Sequence, residues 1–232
     1  MIRDDGYRAY CTWEHSAALR ELYAARSRGE AEEMTCHAQA AELLAAHVRA
    51  GDSVLDAGCG SGAFWHSLVR RGLDVRYVGI DAASSLVAIG REIMPEFGLA
   101  AENLRVLRIE DMAGEVDHVV CLNVLSNIDN YHRPLERLLR VARRTLILRE
   151  SAWDGLAVYA YVRDRHLDSG VKLNVHVNTY NAAELMDFMR GYGFEVARIQ
   201  DRRTQGRAET VIGHPHYWTF FVAVRTDTKG AK

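Results

Sequence analysis

Val54-Leu55-Asp56-Ala57-Gly58-Cys59-Gly60-Ser61-Gly62 is the stretch from which the rest of the chain is read. An apolar run ends in a carboxylate, three glycines alternate with small residues, and a helix-like segment over 63–71 follows. Glycines lack a Cβ, so the backbone can turn tightly and approach a ligand, and the next helix presents free N–H groups. A second apolar run, 75–80, again ends in a carboxylate, Asp81. The glycine spacing with Ala63 behind it departs from the Gly-x-Gly-x-x-Gly of dinucleotide sites. A carboxylate at Asp56 would repel a pyrophosphate and suit a cationic or amino group.

Outward from this turn the chain alternates. Strands are predicted near 53–55, 75–80, 104–109, 117–122 and 145–148, with helices over 63–71, 84–94 and 133–143 between them. Ser84 is the expected N-cap of the second of these helices, and Pro134 sits in the first turn of the third. Strand-helix alternation implies right-handed crossovers and a mostly parallel sheet. Two helical patterns, 17–29 and 30–49, precede the first strand, and the aromatic residues Tyr7, Tyr10, Trp13 and Tyr23 cluster at that end. After residue 150 the rhythm breaks. Residues 171–177 alternate like a strand, a helix is expected over 181–190, and a final strand pair over 194–199 and 217–224 brackets a polar loop. The fold class expected is α/β, a Rossmann-like seven-stranded mixed sheet with helices on both faces. One domain is divided into an N-terminal helical lid (1–33), a core (34–150), an insertion after the fifth strand (151–180) and a C-terminal helix and strand pair (181–232).

Composition bounds the function classes. A length of 232 residues allows one domain with a full core. A net charge of −2 gives no whole-chain electrostatic case for nucleic acid or an anionic membrane. The cysteines at 11, 36, 59 and 121 have no Cys-x-x-Cys spacing, so neither a disulfide frame nor a metal site is expected, and a reducing cytoplasm is the expected setting. No run approaches the roughly 20 apolar residues of a membrane span.

The motifs resemble class I S-adenosylmethionine-dependent methyltransferases. The 54–62 stretch is similar to that family's first motif at every position. The resemblance implies that Asp56 and the backbone of Gly58, Cys59, Gly60 and Gly62 meet the methionine part of the cofactor, and that Asp81 bonds the ribose hydroxyls. It further implies that Glu110, Asp111 and Met112 meet the adenine, and that Cys121 and the residues after it line the cofactor and face the substrate. The cofactor implied is S-adenosyl-L-methionine, with S-adenosyl-L-homocysteine as product.

The acceptor is less legible. Methyl transfer is an in-line displacement, so proximity, alignment and a free lone pair matter most, with a general base for hydroxyls and ammonium groups. Candidates at the strand ends and the segments folding over them are Asn123, Glu150, His176 and His216, each with a competing structural role. Asn123 could satisfy loop backbone, Glu150 could pair with Arg149, His176 could face solvent on a hairpin, and His216 could simply pack. On the 171–177 strand, alternation places Asn174, His176 and Asn178 on one face. His132 is a further possible base. No Asn-Pro-Pro-Tyr or Asp-Pro-Pro-Tyr is present, which disfavours base- and glutamine-amide-modifying enzymes. The expected reaction is methylation of N or O on a small polar metabolite (a sugar, amino acid or natural-product intermediate), with no nucleic-acid or membrane partner and a possible homodimer. A macromolecule-directed methyltransferase and a non-catalytic cofactor-binding partner are the alternatives.

Overall fold

The computed structural model describes residues 9–226. Tyr7, placed with the lid aromatics on sequence, lies outside them. Helices α1 (Ala17–Ser27) and α2 (Thr35–Ala45) precede β1 (Asp52–Ala57). Then follow α3 (Phe64–Arg70), β2 (Val75–Asp81), α4 (Ser84–Ile93), β3 (Leu104–Val106), β4 (Val116–Leu122), α5 (His132–Val141) and β5 (Ala142–Trp153). Short strands β6 (Tyr161–Arg163), β7 (Asn174–His176) and β8 (Tyr180–Asn181) lead into α6 (Ala182–Gly191) and β9 (Phe194–Gln200). The hairpin β10 (Glu209–Val211)–β11 (His214–His216) and β12 (Trp218–Arg225) complete the described chain.

Seven strands form the main sheet in the order β3-β2-β1-β4-β5-β12-β9, with β8 paired to the far end of β5. The first five run parallel, and β12 runs antiparallel to both of its neighbours. Two apolar layers cover the sheet. Leu55, Val119, Cys121, Leu146, Leu148 and Phe221 face the layer that includes α5 and α6. Val54, Val120, Ile147 and Phe220 face the layer built from α2, α3 and α4. This is period-two alternation in strands buried on both faces.

The expected mixed sheet and flanking helices are present, with four local differences. β5 extends to Trp153 instead of stopping near 148, because β12 pairs along it and β8 takes its last residues. The loop between β9 and β12 contains the β10–β11 hairpin. β3 is cut to three residues by the 3-10 turn Ile109–Asp111 that follows it. Ser84 does not cap α4. Glu14, from the N-terminal segment, caps it, its buried carboxylate accepting from the Ser84 hydroxyl at 3.0 Å and the Ser85 N–H at 3.2 Å. Those N–H groups need an acceptor, and an anion suits the positive end of the helix.

Close packing around the glycine turn makes one helix position decisive. Gly90 in α4 lies so near the turn that a Cβ would fall 2.4 Å from the Ser61 carbonyl oxygen. Gly90→Ala in an open helix would gain up to about 1 kcal/mol. Here it is expected to destabilise by about 1–3 kcal/mol, because backbone must move. A thermal melt reads this, and an unchanged or raised Tm contradicts it.

Candidate active site

The C-terminal ends of β1, β2 and β4 open on a cavity of about 730 Å³, within the roughly 300–1,000 Å³ of small-molecule sites and at the sheet edge where open α/β folds bind ligands. Its floor is Asp56, Gly58, Cys59 and Asp81, one flank is Ala82–Ala83 with Leu107–Glu110, and the other is Leu122–Val124 with Asn127–Asp129. The roof comes from two separate segments, the N-terminal residues Tyr10–Trp13 with α1, and the β6–β7 hairpin with Tyr161 and His176.

Gly58, Gly60 and Gly62 all have positive φ (82°, 55° and 80°), which other residues rarely adopt. A Cβ on Gly58 would meet Val124 at 2.2 Å, and one on Gly60 would meet the Tyr23 ring at 2.2 Å. The missing Cβ atoms therefore let the post-β4 loop and α1 come down on the turn. Ser61 ties α1 in place, accepting from the Ser27 hydroxyl at 2.7 Å and donating to the Tyr23 carbonyl at 3.1 Å. The two roof segments are joined as well: Asp168 accepts from the Ala17 N–H at 2.7 Å and from Arg20 at 3.2 Å.

Asp56 is buried beside the turn and accepts from the Tyr77 hydroxyl at 2.6 Å. Burial, with a smaller push from Asp81, raises its pKa to about 7. Asp81 holds the turn, one carboxylate oxygen accepting from Gly60 N–H at 2.8 Å and the other from Ala83 N–H at 2.8 Å. Burial raises its pKa too, and those N–H groups oppose the rise. Arg26 enters the wall from the last turn of α1, stacked over Tyr23 at 5.3 Å, with no ion-pair partner among the described residues.

The post-β4 loop is built around two buried charged residues of β5 that face opposite sides of the sheet. Glu150 accepts from the N–H groups of Val124, Leu125 and Ser126 at 2.7, 2.7 and 3.0 Å. Arg149 donates to Asp201 at 2.8 Å and to the Asn123 side-chain oxygen, with the Trp218 ring 4.5 Å away. Asn123 itself has φ +60°, a conformation asparagine tolerates better than most residues. With its oxygen taken by Arg149, its amide nitrogen remains as a donor at the cavity.

Of the residues expected to meet cofactor, Asp56, Gly58, Cys59, Asp81 and Glu110 line the cavity. Gly60 and Gly62 shape the turn without lining the cavity. Asp111 is exposed, Met112 and Cys121 are buried in the core, and none of the three lines the cavity. The Met112 N–H is already spent on Ile109 at 3.2 Å. Of the acceptor candidates, Asn123 and His176 share the cavity. Glu150 and His216, each no more than 1% exposed, lie outside it. Glu150 is consumed by loop N–H groups, and His216 packs on Trp218 at 5.0 Å. Asn174 follows His176 into the wall, but Asn178 turns inward, donating to the Ile128 carbonyl at 2.7 Å. His132 is exposed and bonded to Asn130.

Two wall residues carry little signal in the sequence: His37, in a helix whose pattern is read from its alanines and leucines, and Asp129, in a polar loop. Among the described residues no His/Cys/Asp/Glu cluster could hold a metal, and no helix is long and apolar enough to cross a membrane.

The pH response of Asp56 is testable. Its pKa is raised to about 7 by burial, so a cationic ligand group bound beside it would favour the carboxylate and release a proton. Affinity for S-adenosylhomocysteine is expected to rise with pH by up to about tenfold per unit below pH 7 and to level off above it. Calorimetry in buffers of different ionisation enthalpy reads the proton release, and a pH-independent affinity contradicts the assignment.

Known proteins resemble this chain in sequence and fold. Ubiquinone biosynthesis O-methyltransferase of Acinetobacter baumannii is 35% identical over 83 residues, 34% of this chain and 34% of that protein. The match thus spans about a third of the curated relative. Magnesium protoporphyrin IX methyltransferase of Synechocystis, solved with bound S-adenosylmethionine, superposes with a TM-score of 0.60 at 18% identity, covering 97% of this chain and 99% of that one. An amino pentose methyltransferase of Micromonospora echinaspora superposes with a TM-score of 0.56 at 20% identity, covering 88% and 97%. The methyltransferase domain family matches residues 28–199, most of the chain from the end of α1 through β9, and the protein belongs to that family.

Proposed function

We propose that this chain is an S-adenosylmethionine-dependent methyltransferase that methylates N or O of a small polar metabolite, such as a sugar, an amino acid or a natural-product intermediate. The observation that carries the reading is the roofed cavity of about 730 Å³ over the glycine turn. Its lining offers a group for each part of the cofactor: in this reading Asp81 accepts from the ribose hydroxyls and Glu110 from the adenine amine. Asp56 suits the methionine ammonium, and Arg26, with no ion-pair partner among the described residues, suits its carboxylate. Bound there, S-adenosylmethionine supplies an electrophilic methyl carbon. The chain's own residues bind, align and exclude water.

A small acceptor is favoured over nucleic acid or protein because α1 and the β6–β7 segment, which both line the cavity, are tied to each other through Asp168. Relatives that act in ubiquinone biosynthesis, on magnesium protoporphyrin IX and on an amino pentose support a small-molecule acceptor. Four buried cysteines that form no disulfide among the described residues support a reducing, cytoplasmic setting. The test is incubation with methyl-labelled S-adenosylmethionine and a metabolite extract. Label is expected in a small molecule, and label only in protein or RNA would overturn the reading.

A further inference from the structure

The loop after β4 is held at every backbone N–H from Asn123 to Ile128. Asn123 donates to the Arg149 carbonyl at 2.8 Å, and the next three residues donate to Glu150. Asn127 and Ile128 donate to the carbonyls of Val124 and Leu125 at 3.0 and 3.1 Å. Val124 seats this loop against the glycine turn, a methyl carbon lying 2.2 Å from where a Gly58 Cβ would stand. The roof meets the same loop from its other end. Asn178, just after β7, donates from its backbone to the Ser126 carbonyl at 2.9 Å and from its side chain to the Ile128 carbonyl at 2.7 Å. Asn123 and Asn127 stand on this fixed loop, both half-buried and both in the cavity wall.

The polarity that each side-chain amide shows the cavity is set by its inner partner. Arg149 has only donors, so the Asn123 side-chain oxygen must face it. The Asn123 backbone carbonyl can only accept, so the Asn127 NH₂ faces it, at 2.9 Å. A donor, Nδ2 of Asn123, and an acceptor, Oδ1 of Asn127, are left. Neither has a partner among the described residues, and neither is sealed from solvent. Both are strengthened from behind: the guanidinium polarises the Asn123 amide towards donation, and the Asn127 amide gains acceptor strength by donating.

We propose, building on the reading above, that Asn123 and Asn127 select a methyl acceptor that carries a neutral amide edge, a carbonyl oxygen beside an N–H, as in a lactam or a carboxamide. The ligand carbonyl accepts from Asn123 and the ligand N–H donates to Asn127. A carboxylate presents two acceptors and sets one against the Asn127 oxygen. An ammonium presents donors only and leaves the Asn123 NH₂ unmet. Each mismatch strands a desolvated polar group, which is the strongest means a site has of rejecting a near-isostere. Because the loop is already ordered by its own hydrogen bonds, little freedom is lost when the ligand binds.

The full chain with S-adenosylhomocysteine bound, probed with δ-valerolactam, tests this directly. In ¹H–¹⁵N spectra the side-chain amide signals of Asn123 and Asn127 are expected to shift with the lactam at tens of millimolar, and not with acetate or methylammonium. No shift with the lactam, or an equal shift with either ion, overturns the proposal. Asn123→Asp keeps an oxygen for Arg149 and replaces the donor by an acceptor, and Asn127→Ala removes the acceptor. Each is expected to weaken lactam binding at least about tenfold, with S-adenosylhomocysteine affinity within about threefold of wild type. A variant that binds both as the wild type does overturns the proposal. With methyl-labelled cofactor and a metabolite extract, the labelled product is expected to contain the amide edge. A labelled small molecule without one overturns this proposal while leaving the methyltransferase reading intact. Failure of S-adenosylhomocysteine to bind the wild-type chain overturns that reading instead.

Discussion

Arg149→Met is expected to destabilise the chain by about 3–5 kcal/mol, the cost of leaving a buried charge without its partner. Asp201 is fully buried, and the Arg149 guanidinium at 2.8 Å is its counter-ion. That contact holds the Asp201 carboxyl below its usual range despite burial. The other Asp201 oxygen accepts from the Thr204 N–H and hydroxyl at 2.8 and 2.9 Å, contacts that an asparagine oxygen can keep. Arg149→Met with Asp201→Asn should therefore recover most of the lost stability, because the stranded charge is gone. It should not recover methyl transfer, because Asn123 still lacks the group that holds its side chain. Chemical denaturation of the single and double variants separates the two effects. A single variant as stable as the double one contradicts the account.

Glu150→Gln carries the second large effect. One glutamine oxygen can serve two of the three loop N–H groups, but its NH₂ would face the third. A destabilisation of about 1–3 kcal/mol is expected from that unmet buried donor. The magnitude depends on pH. Burial pushes the Glu150 carboxyl up to about 7 against the pull of the loop N–H groups. A raised carboxylate pKa gives stability that is complete below the ordinary value of 4.5 and lost as pH rises through about 7. Wild-type stability should therefore fall across that window, with Asp56 acting in the same direction, and the Glu150→Gln variant should fall less steeply. A variant whose pH profile parallels the wild type over pH 4.5–7 would remove Glu150 from this role.

The same two residues show where the sequence is legible and where it is not. The turn at Gly58–Gly62 and the carboxylates at Asp56 and Asp81 are readable because their geometry is local: a strand, a tight turn, a helix N-terminus. Strand alternation with helices likewise follows from short-range pattern. Local pattern puts Glu150 at a strand end facing substrate, but β5 continues to Trp153 under the pairing of β12 and β8, contacts made by residues far along the chain. The cap on α4 comes from Glu14, 70 residues before Ser84, and leaves no local signature. His37 is invisible for a related reason. Apolar periodicity marks which face of α2 is buried, but not that the first turn of that helix borders a cavity. His216 next to Trp218 in an aromatic strand reads equally as pocket or packing, and the fold places it in packing.

Calorimetric titration of the full chain with S-adenosylhomocysteine tests most directly whether the glycine turn is a cofactor site. The prediction is one molecule bound per chain, with affinity about 10–100-fold weaker in Asp81→Asn from the loss of a charged acceptor. No binding to the wild-type chain, or equal affinity in the two proteins, would contradict it.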